Sequence, residues 1–244
     1  MMNLTVIGSG SSGNCYLFSA SDGVLLLECG ISLPEIKKAL RFKLKGIVGC
    51  LVSHEHRDHS KCLKDILGCG INVLALQEVF DSCGITNRAF CKVAQPMHGY
   101  KFGNFKVLCL PVAHDVPCLG FVISHPEMGK TLFVTDTMML EYRIPGLNHI
   151  MLEANYADDI LQDNIESGLV PISMRSRLMH SHMELNTAID ILRTNDLSDV
   201  SEIILVHLSG NNSNAVRFKA EAEGATGLPT YIAHAGLQIN LFKH

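Results

Sequence analysis

The chain has 244 residues, 47% of them hydrophobic and 18% charged, with a formal net charge of -4. That apolar fraction excludes a mainly disordered chain, and the negative balance excludes a general basic footprint for nucleic acid. No apolar run approaches the roughly 20 residues of a membrane helix, and residues 24–27 are typical of the longest.

The opening Met-Met-Asn-Leu-Thr-Val-Ile-Gly lacks the basic region and cleavage site of a secretory signal. The nine cysteines are scattered, odd in number and without a C-x-x-C pair. Reduced thiols in a cytoplasmic protein are therefore expected, with no membrane contact. No linker, repeat or low-complexity stretch divides the sequence, so residues 1–244 read as a single domain.

Short Val-, Ile- and Leu-rich runs alternate with turn signals along the chain. Residues 4–7 predict a first strand, followed by a polar loop at 8–14. Residues 15–19 and 24–28 predict a hairpin around Asp22-Gly23. Ser32-Leu-Pro-Glu35 is a capping box before a short helix. Residues 47–52 predict a strand that ends in a burst of His and Asp, after which Ser60 caps a helix to Leu67. Residues 71–76 predict a strand, and 77–96 give no clear pattern.

Hairpin strands are expected at 101–102 and 105–110, then strands at 119–124, 131–135 and 149–153. Helical patterns cover 157–167 and 184–193. A strand at 202–206 and a helix at 213–222 precede a closing hairpin of 231–233 with 238–242. Interleaved strands and helices in both halves imply a layered α/β domain, with sheets packed together and helices outside.

The burst reads His54-Glu-His-Arg-Asp-His59, three imidazoles and a carboxylate delivered from one strand end besides Glu55. In extended chain His54 and His56 point the same way and can address one cation; Asp58 and His59, one turn on, can address a second. His114, Asp136 and His207 each follow an apolar run. Strand ends are where a rigid scaffold can hold ligands. The last histidine of the set stays open between His207, His234 and His180.

Read together, His54-x-His56-x-Asp58-His59 and the later His114, Asp136 and His207 resemble the metallo-β-lactamase superfamily. More specifically, the chain resembles the WalJ/YycJ-like branch, described as 5′-to-3′ DNA exonucleases. The shared segments are Gly8-Ser-Gly-Ser-Ser-Gly-Asn-Cys-Tyr-Leu17, Leu152-Glu-Ala-Asn-Tyr156, His182 with Asn186, and His207-Leu-Ser-Gly-Asn-Asn212. The resemblance implies a four-layer αββα sandwich that binds two divalent metal ions, zinc or manganese.

By that resemblance, His54, His56 and His114 bind one metal, Asp58, His59 and His207 the other, and Asp136 bridges them. Catalytic roles fall to Asp58, to His182 as proton donor, and to Glu153 as the carboxylate that orients it. Glu28 stands where the superfamily usually has Asp, one methylene shorter.

The implied activity is phosphodiester cleavage in DNA by metal-activated hydroxide. The alternative is hydrolysis of a small ester, thioester, lactone or cyclic phosphodiester at the same metals. Substrate contacts are expected from Ser11, Ser12 and Asn14 in the first loop, and from Ser209, Asn211 and Asn212 after the last strand. Arg57, Lys61, Lys64, Arg175, Arg177 and Arg217 are the cations that could meet phosphate, with Arg175 and Arg177 preferred. The Ser9–Asn14 loop reads either as an anion-binding nest or as a tight turn supporting the metal loop.

Overall fold

The computed structural model describes residues 1–243. Two seven-stranded sheets pack face to face. The first contains β1 (Met2–Gly8), β2 (Cys15–Ala20), β3 (Gly23–Leu27), β4 (Ile47–Leu51), β5 (Val73–Ala75), β6 (Cys91–Val93) and β14 (Gln238–Leu241), in the order β14-β1-β2-β3-β4-β5-β6. The second contains β7 (Gly99–Phe102), β8 (Phe105–Val112), β9 (Cys118–His125), β10 (Gly129–Val134), β11 (His149–Glu153), β12 (Glu202–Val206) and β13 (Thr230–Ile232), in the order β13-β12-β11-β10-β9-β8-β7.

Side-chain alternation explains the layering. In β1, Met2, Leu4 and Val6 are buried while the residues between them are partly exposed. The inter-sheet core joins Leu4, Phe18 and Leu25 of the first sheet to Phe121, Phe133 and Ile204 of the second. In β11 and β12 both faces are covered, and the two strands pair in parallel, as parallel pairs buried under helices do. The outer face of the second sheet, including Leu132, Ile150 and Leu205, packs on α7 (Leu185–Thr194) and α8 (Ala215–Thr226) through Leu185, Ile189 and Phe218. On the first sheet, α1 (Leu33–Ala39) and α3 (Leu63–Gly68) contribute Ile36 and Ile66 to the core. The αββα layering expected from the sequence is the observed one. Among the described residues no helix is long and apolar enough to cross a membrane.

Three local expectations are corrected. The helix expected to start at Ser60 is two pieces, α2 (Arg57–Ser60) and α3. Ser60 does not cap; its hydroxyl donates back to the carbonyls of Glu55 and His56. Cys62 N donates to Cys29 O at 2.8 Å instead of to a helix carbonyl, which interrupts the ladder. The closing hairpin does not form. β13 joins β12 in parallel through the α8 crossover, whereas β14 crosses to the first sheet and pairs antiparallel with β1. A strand–helix–strand unit returns its second strand parallel to the first, so β13 cannot also turn back on β14. Finally, α6 (Ser173–Ser181) has no expected counterpart. Its apolar residues Met174 and Met179 are largely exposed, so it shows no amphipathic period. The unreadable stretch 77–96 holds α4 (Gln77–Ser82) and β6.

Gly49 on β4 lets the sheets approach closely. A Cβ there would stand 2.2 Å from Cδ1 of Phe102 on β7. Gly49→Ala is expected to cost about 1–3 kcal/mol of stability through overpacking. Urea denaturation checks this, and an unchanged midpoint would show that the Phe102 ring moves aside freely.

Candidate metal centre

Strand ends bring the sequence-expected donors to one edge of the sandwich. His54 and His56 follow β4, Asp58 and His59 lie on α2, and His114 follows β8. Asp136 follows β10, Glu153 ends β11, His207 follows β12 and His182 follows α6.

Four overlapping groups have donor atoms within 4.8 Å of one another: His54, His56 and His114; Asp58, His59 and His207; His54, His59 and Asp136; and Asp136, Glu153, His182 and His207. His59 Nε2 lies 3.0 Å from Asp136 Oδ2 and 3.5 Å from Asp58 Oδ2. His207 Nε2 is 3.3 Å from Asp58 Oδ2, and its Nδ1 is 3.5 Å from Asp136 Oδ1. His114 Nε2 approaches His56 Nδ1 at 3.3 Å.

Backbone strain is concentrated here. Glu28, Asp136 and His207 are three of the six non-glycine residues with positive φ among the described residues, at 62°, 52° and 55°. Each such residue costs roughly 1–3 kcal/mol and persists only where its surroundings hold it. At His207 the restraint is visible: its N–H donates to Ser9 Oγ at 2.9 Å, and its carbonyl accepts from Asn155 Nδ2 at 2.8 Å. The Asp136 carboxylate accepts from Thr135 Oγ1 at 2.7 Å.

The electrostatics fit a cation. Burial holds His54 well below its usual pKa, and among the described residues its Nε2 has no hydrogen-bond partner. Burial would raise Asp136, but His207 and His59 hold its carboxyl well below the usual range. Burial likewise opposes ionisation of Asp58, and hydrogen bonds from His207 and His59 overcome it. The histidines mirror this: burial would lower His207, yet Asp136, Asp58 and Glu153 push it up to about 10. Buried carboxylates therefore hold protons on their neighbouring imidazoles. A divalent cation supplies the same positive charge without those protons and gives His54 Nε2 a partner. The residues present fit such a group.

Around the donors lies a bracing layer. Glu28, fully buried, accepts from Ser53 N and faces His59 Nδ1 at 3.5 Å. The longer Glu thus reaches the metal loop from the end of β3. Asn14 N donates to Asp58 O at 2.7 Å, Cys29 N to His59 O at 2.8 Å, and Gly30 N to Asn14 O at 2.9 Å. Glu153 Oε1 sits 2.7 Å from His182 Nδ1, and Glu153 Oε2 accepts from Thr137 N and Met183 N. Here burial works against Glu153 ionising and His182 restores it, while Glu153 raises His182 against the cost of its own burial.

The Ser9–Asn14 loop spends its polar groups on structure. Gly10 N donates to Asn14 Oδ1, and Asn14 Nδ2 lies 3.0 Å from His59 Nε2. The turn reading accounts for these bonds, and Asn14 is buried.

An open cleft of about 370 Å³ lies over the cluster. Ser11, Ser209 and Asn211 line it, as does Asn212, although Asn212 is nearly buried and its Oδ1 is taken by Asn164. Ser12 is exposed and does not line it. His234 and His180 are exposed, bonded to the Ala235 and Ser176 carbonyls, and join none of the donor groups. Arg177 lines the cleft; Arg175 is tied to Asp158, and Arg217 to Asp159 and Glu221.

Three residues of the site went unnoticed in the sequence. Asp115 lies 3.0 Å from His114 Nε2 and 3.4 Å from His56 Nε2, and the adjacent His114-Asp115 pair after an apolar run was the available signal. Leu169 and Met174 wall the cleft, but they belong to the segment with no readable period.

The two packed sheets, with the H-x-H-x-D-H loop at their edge, have the metallo-β-lactamase fold, and the His/Asp cluster there could hold metal. A model of the metallo-β-lactamase superfamily matches residues 8–75, the segment that carries the loop. The exodeoxyribonuclease YycJ of Bacillus anthracis is 25% identical over 236 residues, spanning 87% of this chain and 84% of its own length. The crystal structure of the metallo-β-lactamase-fold protein YhfI from Bacillus subtilis superposes with a TM-score of 0.75 at 19% identity, covering 98% of this chain and 99% of that one. A diphosphatase from the PhnP family superposes at 0.68 with 16% identity, covering 100% of both chains.

Gly30 seats the metal loop: a Cβ there would stand 1.7 Å from Asp58 O. Gly30→Ala is expected to push the loop outward and weaken divalent-metal affinity roughly 10–100-fold, as loss of a bracing contact does. Calorimetric titration with zinc checks this. Wild-type affinity in the variant would show that this contact does not set the loop.

Proposed function

We propose that the protein is a metal-dependent phosphodiesterase that cleaves DNA, acting as a 5′-to-3′ exonuclease on two divalent cations, zinc or manganese. The observation that carries this reading is the paired arrangement of the cleft. A buried His/Asp cluster forms its floor, and a Glu153-oriented His182 stands on its wall. The exodeoxyribonuclease name of the B. anthracis relative and the diphosphatase name of the PhnP-family structure support it.

In this reading His54, His56 and His114 would hold one cation and Asp58, His59 and His207 the other, with Asp136 within reach of histidines from both sets. When bound, such cations supply Lewis acidity at the phosphate and at the attacking water. The chain's own groups do the rest. Asp58, within 3.5 Å of both His59 and His207, orients the second donor set. Glu153 accepts the Nδ1–H of His182 and raises its pKa, so the ring is held as the imidazolium whose Nε2–H passes to the leaving oxygen, leaving the neutral Nδ1–H imidazole behind. Ser209 and Asn211 on the rim hold the substrate backbone. Residues 1–244 act as one catalytic domain in the cytoplasm.

A second reading is a small ester, lactone or cyclic phosphodiester substrate. Leu169, Val170, Pro171 and Met174 favour it, because they give the cleft an apolar wall suited to a compact organic group.

The direct test incubates the purified protein, with bound metal counted per chain, with manganese or zinc and 5′-labelled single- and double-stranded DNA. Metal-dependent release of short products from the 5′ end is expected. About two metals per chain with no cleavage of any nucleic acid would replace this reading by the small-substrate one.

Two substitutions separate the roles. Asp136→Ala removes the ligand shared by both donor sets and is expected to abolish turnover while circular dichroism stays native; normal turnover would sink the two-metal arrangement. His182→Ala is expected to lower kcat by roughly 10²–10⁴-fold, the usual worth of a general acid, with metal content unchanged. Loss of metal in that variant would make His182 a ligand instead.

A further inference from the structure

Beyond the metal cleft, the surface carries two more hollows, one sharing a lining side chain with the cleft and the other sharing one with the first. His56 lines both the metal cleft and a second hollow of about 430 Å³. Arg57 on α2, Lys61 just after it and Lys64 on α3 all line that second hollow. All three are exposed, and among the described residues none lies in an ion pair. Among the described residues Glu55 is the one carboxylate lining the hollow. Lys64 lines both this hollow and a third, of about 460 Å³. There it leans over Gly84, whose absent Cβ would stand 3.8 Å from Lys64 Nζ. The third hollow ends on Phe90, an aromatic ring 39% exposed.

In a chain of net charge -4, three unpaired cations in a row beside a phosphodiesterase cleft are a local reversal of sign. A positively charged groove that ends on an exposed aromatic is how proteins follow a single strand, with cations on phosphates and a base stacked on the ring. A base within a duplex has no free face for that ring. We infer that the three joined hollows are a track for a single-stranded polynucleotide whose reacting end lies in the metal cleft, with Arg57, Lys61 and Lys64 on successive phosphates and Phe90 beneath a base. The inference rests on the phosphodiesterase reading and deepens it: the preferred substrate is a strand several nucleotides long.

The test measures binding apart from turnover. Phosphorothioate oligothymidylates of 12 and of 2 residues, which resist hydrolysis, compete with a labelled 12-mer for the metal-loaded protein. The wild-type protein is expected to bind the 12-mer at least about tenfold more tightly than the 2-mer, since the longer strand meets several cations. In the double variant K61A/K64A the slope of log affinity against log salt is expected to fall by about 1.4, two phosphates at roughly 0.7 each. Phe90→Leu is expected to weaken 12-mer binding roughly fivefold or more through lost stacking. Equal affinity for the two lengths, or a wild-type salt slope in the double variant, would overturn the track. Length-dependent binding without cleavage of any phosphodiester would instead overturn the phosphodiesterase reading and leave the track standing.

Discussion

Three carboxylates, Glu28, Asp136 and Glu153, are almost wholly removed from water at one edge of the sandwich. A buried carboxylate stays ionised only beside compensating positive charge, because its lost hydration is worth several kcal/mol. Asp136 and Glu153 have it from histidine. His59 stands between Glu28 and Asp136, His207 between Asp136 and Glu153, and His182 against Glu153. The requirement that these groups meet dictates which strand ends must coincide. β3, β4, β10, β11 and β12 all terminate at the same edge, and the two sheets pack in the register that brings them there.

The same requirement explains where the chain is strained. Glu28, Asp136 and His207 adopt left-handed backbone where β3, β10 and β12 give way to loops, turning side chains of the strand ends inward. Glycine would take that conformation with less strain, but it carries no donor. The cost is borne by the sheets behind: β10, β11 and β12 are buried over most or all of their length, and the loops are tied to Ser9, Asn14 and Asn155 by hydrogen bonds. A site on such rigid ends can hold its donors with little reorganisation.

Much of this was legible in the residues. Strand positions followed from alternation and apolar runs, and the donors announced themselves as His and Asp directly after those runs. Partner choice was less legible. The segments 231–233 and 238–242 carry the pattern of a hairpin, yet they belong to different sheets, because pairing is settled by the α8 crossover and by the open edge of β1. Ser60 has the residue type of a cap, but the Cys62–Cys29 backbone bond, a contact between distant segments, decides where the helix breaks. The α6 wall left no trace, because Met174 and Met179 are exposed and only Leu178 turns partly inward. Asn14 shows the same limit within the site. Its residue type suits a ligand contact, and only the fold reveals that His59 and the Gly10 amide already occupy it.

The pairing of β1 with β14 places partners 237 residues apart in sequence side by side, as between Asn3 and Asn240. On the ribosome, the N-terminal strand therefore emerges long before its neighbour exists. At about 5–20 residues per second the wait is on the order of tens of seconds. Throughout it, one side of β1 presents unpaired amides and carbonyls, the kind of edge that recruits other chains. His207, whose N–H is held by Ser9, is also a late arrival. Nascent chains of this protein thus pass through a stage with the His54–His59 loop already made and the far side of its site still missing. The donor cluster and the first sheet close only once β12 and β14 have been made.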